Sequence, residues 1–352
     1  MTMNGNNKEL LTILENLCPD DFELIINYIL NNKLMLFQST NSIKKIVLRD
    51  NPVECCSHCG SSSFVKNGKT KKKVQKYLCK DCGKTFCATT NKTPSYSKRY
   101  YRQWHDFIEA EVDELSLRNT AMKIGISKTT AFNWRHKIHK AAENFINSFQ
   151  LSGKIEIDPT YIELNFKGTR PKNMKRPSKK RKFSEYRGLS KTKVCIVCAI
   201  DENDHIVLQV AGLGKESIAD YNKIKDRLSN PSLLITDQAW GFTTFAKDLN
   251  CELDQIPTTA HKSINGNTLA NVSQIQKELK EYISNYHGVA TKYLQGYLNM
   301  FILKKMFNYK YDYDKLSSSI FLEIINSFCI LKVKDIKNIR APYDILPIYQ
   351  TC

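Results

Sequence analysis

Two Cys-x-x-Cys pairs stand in the N-terminal half of the chain, Cys56 with Cys59 and Cys79 with Cys82, and a glycine directly follows each pair. Two intervening residues let both thiolates of a pair reach one ion, and glycine supplies the open backbone that such a turn needs. Four thiolates close a tetrahedral site without an open position, so the ion is expected to be a structural zinc. The pairs therefore predict a zinc ribbon over residues 50–90.

The segment between the two pairs is strongly basic. Between residues 66 and 76 it carries the lysines Lys66, Lys69, Lys71, Lys72, Lys73 and Lys76. We expect a hairpin face that contacts phosphate, with Lys71, Lys72 and Lys73 as candidate DNA-binding residues. The alternative is a solvated loop without a partner.

Length and charge limit the class of protein. A chain of 352 residues is too long for one ordinary core, so several folded units are expected. Lys and Arg number 53 against 35 Asp and Glu, and the resulting net charge of +18 attracts a polyanion such as nucleic acid. The N-terminus lacks a secretory pattern, and no run reaches the roughly 18 apolar residues of a membrane span. We therefore expect a cytoplasmic, DNA-binding protein without a membrane partner.

Residues 98–149 show helical spacing with the rhythm of a helix-turn-helix. Ala121 is small where two helices would cross, Gly125 permits a tight turn, and Ser127 can cap the second helix. The remaining polar side chains at the start of that helix are candidate contacts in a DNA major groove: Lys128, Thr129, Asn133 and Arg135. An ordinary helical hairpin without DNA contact is the alternative.

Downstream of residue 152, strands alternate with helices. The patterns predict strands over 154–164, 193–200, 205–210, 232–236 and 251–256, and helices over 217–228, 242–249 and from 271 onward. Antiparallel strands followed by a helix and further strands is the order of the ribonuclease-H-like fold. The predicted class is therefore multidomain α+β: a zinc ribbon, a helix-turn-helix, and a ribonuclease-H-like α/β domain with a mixed sheet over 152–308. Residues 1–49 are predicted to form a helical lead segment, and 309–352 a C-terminal extension.

An aspartate ends each of two predicted strands, Asp158 and Asp237. In the ribonuclease-H-like arrangement the ends of the first and fourth strands lie side by side, so we expect these aspartates to be neighbours. Adjacent carboxylates repel each other unless a cation lies between them, and Mg²⁺ or Mn²⁺ suits such oxygen ligands. Paired ions can activate water or a 3′-hydroxyl for in-line phosphoryl transfer. The alternative is that each aspartate only caps a turn at its strand end.

Four stretches together carry a family pattern: the cysteine pairs over 56–86, Gly153-Lys-Ile-Glu-Ile-Asp158, Leu233-Leu-Ile-Thr-Asp237 and His287-Gly-Val-Ala-Thr-Lys-Tyr-Leu294. The chain thereby resembles a bacterial insertion-sequence transposase with a zinc ribbon, a helix-turn-helix and a DDE-type catalytic core. The resemblance implies that Asp158 and Asp237 are the first and second metal ligands. It also implies binding of terminal inverted repeats by the N-terminal modules, and Mg²⁺-dependent cleavage and strand transfer by a homo-oligomer on double-stranded DNA.

The third catalytic position departs from the family pattern. Pro159 and Thr160 follow the first aspartate where the family has Glu-Thr, and the third position falls on Ser273. A serine hydroxyl is a weaker Mg²⁺ ligand than a carboxylate or amide oxygen, and Gln276, one helical turn on, is the second candidate. Three readings stay open: a neighbouring residue substitutes, this copy is catalytically impaired, or the protein is a DNA-binding regulator.

Residues 167–193 carry twelve basic side chains against a single acid. Like charges at this density do not fold compactly, so we predict a loop beside the first catalytic strand that contacts DNA phosphates. Lys179, Lys180 and Arg181 are its candidate contacts, and a solvated loop without a role is the alternative.

Other prominent residues are predicted to be structural. Cys195 and Cys198 repeat the C-x-x-C spacing, but an odd offset on a strand points them to opposite faces, so they cannot share an ion. Trp240 and Tyr293 are predicted to belong to the core. The sequence has no nucleotide-binding glycine loop, so an ATP-driven mechanism is not expected.

Overall fold

The computed structural model describes residues 53–340, apart from residues 72–73, 98, 100, 166, 168–192, 258, 261 and 311–312. The predicted helical lead segment over 1–49 lies outside the described residues. So do most of the basic loop, with Lys179, Lys180 and Arg181, and the lysines Lys72 and Lys73. Within the described part of the chain, no helix combines the length and the apolar character that crossing a bilayer requires.

A small antiparallel sheet opens the described chain. Its strands are β1 (Phe64–Lys69), β2 (Gln75–Cys79) and β3 (Thr85–Phe86), in the order β1-β2-β3. The rings of Phe64, Tyr77 and Phe86 pack edge-on or tilted at centroid distances of 5.3–5.7 Å beneath the cysteine pairs. So small an apolar cluster is typical of a module that a metal ion completes.

Three helices follow: α1 (Tyr101–Val112), α2 (Leu117–Ile124) and α3 (Lys128–Ile146). Ser116 and Ser127 cap α2 and α3, each accepting a hydrogen bond from a backbone N–H in the first turn. Gly125 ends α2 with a φ of 70°, in the left-handed region that glycine enters without a steric penalty. These local features set the turn between α2 and α3 that the sequence indicates.

The central sheet has five strands in the order β6-β5-β4-β7-β8. β4 lies in the middle, antiparallel to β5 and parallel to β7; β6 is antiparallel to β5, and β8 is parallel to β7. This mixed sheet has the ribonuclease-H-like order, as the sequence predicts. The strand bounds are β4 (Leu151–Glu163), β5 (Lys193–Asp201), β6 (Ile206–Leu213), β7 (Leu228–Asp237) and β8 (Glu252–Ile256).

Helices cover both faces of the sheet. Cys195 packs in the cluster on one face and Cys198 in the cluster on the other, which confirms the prediction that they cannot share an ion. The helices are α4 (Ile218–Tyr221), continued by a 3₁₀ segment (Asn222–Arg227), α5 (Gly241–Leu249), α6 (Ala270–Asn285), α7 (Leu294–Lys310), α8 (Tyr313–Asn326) and α9 (Val333–Asn338), with a 3₁₀ turn (Thr291–Tyr293) before α7.

β7 is longer than the sequence pattern suggests, because it begins at Leu228 rather than Ser232. Its first residues pair irregularly with β4, where the register shifts around Gly153 and Pro231. Proline cannot donate a ladder hydrogen bond, and Gly153 has a φ of 69°, so this stretch forms a bulge. Because the residues around this bulge are polar, they interrupt the alternating hydrophobic pattern from which the start of the strand would be predicted.

The C-terminal segment completes the helical domain instead of standing apart as an extension. Ile320, Phe321 and Ile324 of α8 are buried in one cluster with the interiors of α1 and α3. Thr93, between the small sheet and α1, is packed against the same helix, since its buried hydroxyl donates to the carbonyl of Ile324 at 2.7 Å. Residues far apart in sequence therefore share one core.

Arg135 does not face outward, and the prediction that it contacts DNA is wrong. Its side chain is 2% exposed, and its Nε donates to Oε1 of the fully buried Glu111 at 2.7 Å. Although burial opposes ionisation, the guanidinium holds the pKa of Glu111 below its usual range. Arg135 also donates to the carbonyl of Leu115 and lies 5.0 Å from the ring centre of Tyr286. The pair thus joins the helix-turn-helix to the end of α6.

Replacing one member of this pair should be costly because it leaves the other charge buried alone. We expect Glu111→Leu or Arg135→Met to lower the free energy of unfolding by about 3–5 kcal/mol, and the double variant to recover most of that loss. Urea unfolding of the single and double variants measures both quantities.

The exposed pair Glu109–Lys123, at 3.4 Å, provides the matched control. Glu109→Ala should cost no more than about 1 kcal/mol because water screens that pair. A Glu111→Leu variant as stable as the wild type would show that the buried pair has no structural role.

Candidate functional site

Asp158 and Asp237 lie next to each other, but only Asp237 ends its strand, β7, whereas Asp158 lies in the middle of β4 and the expectation that it ends a strand is wrong. The parallel register pairs Ile157 with Thr236, so the two following residues are neighbours and point to the same face. Burial raises the pKa of the Asp158 carboxyl to about 6, and although a hydrogen bond from Gln276 opposes this, the negative charge of Asp237 adds to the increase. The structure therefore brings the two predicted acids together in an environment that disfavours two negative charges.

The backbone around Asp237 fixes its carboxylate. Oδ1 accepts a hydrogen bond from the N–H of Ala239 at 3.1 Å, and the Asp237 carbonyl accepts one from the side-chain amide of Gln255 on β8, also at 3.1 Å. An aspartate that bonds two residues onward forms a stable turn at a strand end. One carboxylate oxygen of Asp237 is thus engaged by the turn.

Gln276 reaches the pair from α6. Its Nε2 donates to Asp158 Oδ2 at 2.6 Å and to the Asp158 carbonyl at 3.0 Å. The carboxylate only accepts hydrogen bonds, so the amide nitrogen must face it, and Oε1 is turned elsewhere. Ser273 lies one turn earlier on α6 with an exposed side chain. Of the two candidates for the third position, Gln276 is the one that contacts an aspartate.

Glu156 is a site residue that the sequence analysis missed. It lies two residues before Asp158 on the same face of β4 and is 8% exposed. Its carboxylate accepts from the Asn271 side chain at 2.8 Å and from the backbone N–H of Val272 at 2.9 Å. Burial raises its pKa, and the N–H groups at the start of α6 are natural partners for a carboxylate. The sequence feature that could have identified Glu156 is a charged residue between two isoleucines of a buried strand.

The oxygen atoms of this pair suit a divalent cation. Mg²⁺ prefers carboxylate and amide oxygens, and the adjacent carboxylates of Asp158 and Asp237 provide two such donors. A cation between the carboxylates would also relieve the repulsion and the loss of solvation that raise the Asp158 pKa. The residues therefore fit a magnesium or manganese ion.

The cysteine pairs form a second metal centre. The Sγ atoms of Cys56 and Cys82 are 3.7 Å apart, those of Cys59 and Cys79 are 3.6 Å apart, and all of them lie within 4.8 Å of one another. Zn–S bonds of about 2.3 Å in a tetrahedron require sulfur atoms roughly 3.8 Å apart. The N–H of Cys82 lowers the pKa of Cys79 to about 7, which favours the thiolate. The geometry fits zinc.

Both knuckles repeat one backbone pattern. Gly60 donates to the carbonyl of Cys56 at 2.9 Å, and Gly83 donates to that of Cys79 at 3.1 Å. The φ values of Gly60 and Gly83 are 77° and 67°, so a side chain at either glycine would be strained. His58 adds no ligand to the described cluster, because its ring lies 3.4 Å from the carbonyl of Thr85.

The predicted DNA-binding residues occupy different environments. Lys71 is exposed on the ribbon, Lys128 and Thr129 are exposed at the start of α3, and Asn133 is half-buried. Arg135 is excluded from this surface by its burial. The described outward face of α3 is therefore shorter than predicted.

Removal of one thiolate should release the zinc. We expect Cys79→Ser to lower the metal content from one zinc per chain towards none and to expose residues 53–90 to protease, because the apolar cluster there is small. The neighbouring Cys87→Ser should keep its zinc. Elemental analysis and limited proteolysis provide the measurements, and a folded wild-type protein that contains no zinc would refute the assignment.

Comparisons with known proteins give one family match and one relative in a transposable element. Residues 150–305 match the family described as the ISXO2-like transposase domain. An uncharacterised protein in the transposable element ISH50 of Halobacterium salinarum is 24% identical over 266 residues, covering 71% of this chain and 84% of that protein.

Two solved structures show more distant similarity. The HTLV-2 integrase catalytic core domain in complex with magnesium is 13% identical at a TM-score of 0.26, over 44% of this chain and 85% of that one. A chain of the pre-cleavage Mos1 transpososome is 11% identical at a TM-score of 0.20, over 64% of this chain and 79% of that one. Because both scores are low, the fold assignment rests on the sheet order. Residues 150–305 of this chain are therefore similar to the ISXO2-like transposase domain.

Proposed function

We propose that this protein binds the terminal inverted repeats of an insertion sequence and catalyses Mg²⁺-dependent DNA cleavage and strand transfer. The observation that carries the proposal is the adjacent pair of Asp158 and Asp237 on neighbouring strands of a ribonuclease-H-like sheet. The transposase domain that covers the same residues supports it.

The chain supplies ligands and a fixed geometry for this reaction. A divalent ion held by Asp158 and Asp237 would activate water or a 3′-hydroxyl and stabilise the leaving oxygen. The turn to Ala239 orients Asp237, and the amide of Gln276 orients Asp158. Glu156 anchors the first turn of α6 and so fixes the distance between Gln276 and the strand. Each ligand is thus set before substrate arrives.

Gln276 is the third residue of the site in this proposal. Its Nε2 faces Asp158 in the structure, and rotation of the amide would present the Oε1 oxygen to the cation instead. An amide oxygen coordinates Mg²⁺ better than a hydroxyl, and the Ser273 side chain is exposed to solvent. The serine at the family's third position therefore does not by itself make this copy inactive.

DNA contact in this proposal is separate from the acid pair. Lys128 and Thr129 are exposed at the N-terminus of α3, where a recognition helix meets base edges. Lys66, Lys69 and Lys71 are exposed on the ribbon and suit phosphate contacts. The basic stretch over 167–193 remains a predicted further contact.

Loss of either aspartate should separate binding from chemistry. We expect Asp158→Asn and Asp237→Asn each to lower cleavage and strand transfer by roughly a thousand-fold or more. Binding to a duplex that carries the terminal repeat flanking this gene should remain. Gel-based cleavage and transfer assays with Mg²⁺ measure the first effect, and fluorescence anisotropy measures the second.

Asp248→Asn is the matched control, because Asp248 is an exposed aspartate on α5. It should behave as the wild type in both assays. Full activity of both site variants would end the catalytic proposal, and a wild type that binds the repeat but never cleaves it would identify a DNA-binding protein.

The two candidates for the third position can be separated directly. We expect Gln276→Ala to lower activity roughly 10- to 100-fold, because it removes the partner that orients Asp158. Ser273→Ala should leave activity close to that of the wild type. The opposite pattern, with an unaffected Gln276→Ala and a gain of activity in Ser273→Asn, would assign the position to Ser273.

A further inference from the structure

Trp240 is exposed, and the prediction that it belongs to the core is wrong. The chain has three tryptophans, all within the described residues. Trp104 and Trp134 are 0% and 6% exposed and stack with ring centres 3.8 Å apart, whereas Trp240 is 80% exposed. A solitary exposed aromatic ring is ordinary on a protein surface, so its position and its support decide what it means.

The backbone holds Trp240 in a fixed place. The turn that begins with the bond from Ala239 N–H to Asp237 Oδ1 continues with a bond from Phe242 N–H to the Ala239 carbonyl, at 3.2 Å. Trp240 is the residue directly before α5. Phe242 is fully buried, with its ring 4.2 Å from that of Tyr221, so the next turn is anchored in the core. The backbone that carries the exposed indole is therefore held in place by hydrogen bonds and by the buried Phe242 ring.

The turn that carries Trp240 also orients Asp237, a candidate metal ligand. Trp240 follows Asp237 by three residues, and three residues span at most roughly 11 Å. A phosphate placed at the acid pair thus has its own nucleotide within reach of the indole. A second exposed apolar side chain, Ile264, lies in the loop that follows β8.

Hydrogen bonds also fix the loop around Ile264. Ser263 and Asn267 both donate to the buried carboxylate of Asp254, at 2.6 and 2.5 Å. The place of Trp240, three residues after the candidate metal ligand Asp237 and on a hydrogen-bonded turn, points to a substrate that has both phosphate and a flat apolar surface.

We propose that Trp240 is a stacking platform for an unpaired nucleobase at the DNA end held in the active site. The inference rests on the proposed function, since it needs DNA at the acid pair. Indole rings stack on any base through their π-faces, and the platform is therefore expected to tolerate different sequences. A base at an open end is the preferred occupant because it need not be unpaired first.

The arrangement of the tryptophans gives a direct measurement. Only Trp240 is open to a collisional quencher, because Trp104 and Trp134 are buried. The probe is a duplex ending in the terminal repeat, with two unpaired bases at its end and a 3′-deoxy terminus that blocks transfer. Acrylamide quenching of intrinsic fluorescence is compared for the free protein and the complex. A matching duplex carries 2-aminopurine at the unpaired position next to the terminus.

Stacking predicts two coupled changes. In the wild type, DNA should reduce the acrylamide quenching of Trp240, and 2-aminopurine emission should fall on binding. Trp240→Leu should abolish the fall in 2-aminopurine emission and weaken binding of the unpaired end roughly ten-fold, while Trp240→Phe should retain part of both. Val333→Ala, which shortens an exposed apolar side chain on α9, should match the wild type.

Several results would overturn the proposal. Unchanged acrylamide quenching in the saturated complex would show that the indole stays in solvent. Protection of Trp240 without a change in 2-aminopurine emission would assign it to a partner other than a base. Because the side chain is exposed, Trp240→Leu should unfold at the wild-type temperature, so a loss of binding is not a loss of folding.

The proposed function is tested separately with a 3′-hydroxyl duplex and Mg²⁺. Strand transfer by the wild type, together with unaltered transfer by Trp240→Leu and a fall in 2-aminopurine emission as large as in the wild type, would reject stacking and leave the transposase function intact. Stacking signals in a wild type that never cleaves or transfers DNA would reject the catalytic function instead.

Discussion

The parallel pairing of β4 with β7 is the constraint on which the active site depends. The strands are distant in sequence, and closing the intervening segment costs chain entropy. Burial of both faces of the sheet offsets that cost, since Ile155 and Leu234 pack on one side and helices cover the other. The same register places Asp158 beside Asp237, where burial and mutual repulsion raise the Asp158 pKa. The sheet is stable enough to hold an unfavourable pair that a cation would relieve.

Helix α6 extends this constraint to the helix-turn-helix. Its first turn is bonded to Glu156, its middle carries Gln276, and the residue that ends it, Tyr286, lies against Arg135 of α3. Arg135 is held in turn by buried Glu111. One helix therefore spans from the catalytic strand to the helix that bears Lys128 and Thr129. Such a rigid connection suits an enzyme in which the bound sequence must be positioned relative to the reacting phosphate.

Two residues show how far a local pattern can mislead. Arg135 has the composition of a DNA contact, but its place on α3 turns it towards Glu111 and an ion pair inside the helical domain. Trp240 has the composition of a core residue, but the turn after Asp237 faces it into solvent. In each case the residue type suits the predicted role, but the packing of neighbouring elements decides which way the side chain points. Direction is a property of the fold, so residue type alone does not predict it.

The sequence by itself determined the features that depend on short spacing. Cysteine pairs with two residues between them specify a metal knuckle, capping serines and Gly125 specify the turn between α2 and α3, and an aspartate after each of two apolar runs indicates the candidate acids. Each of these follows from geometry within a few residues, which sequence records directly.

Only the tertiary structure decided which distant residues meet. It selected Gln276 over Ser273 as the partner of Asp158, revealed Glu156 as the anchor of α6, and placed α8 in the core of the helical domain. The physical reason is that these contacts join segments whose relative position is set by the burial of whole faces. Many sequences satisfy the same local pattern, and the packed core selects one set of long-range contacts among them.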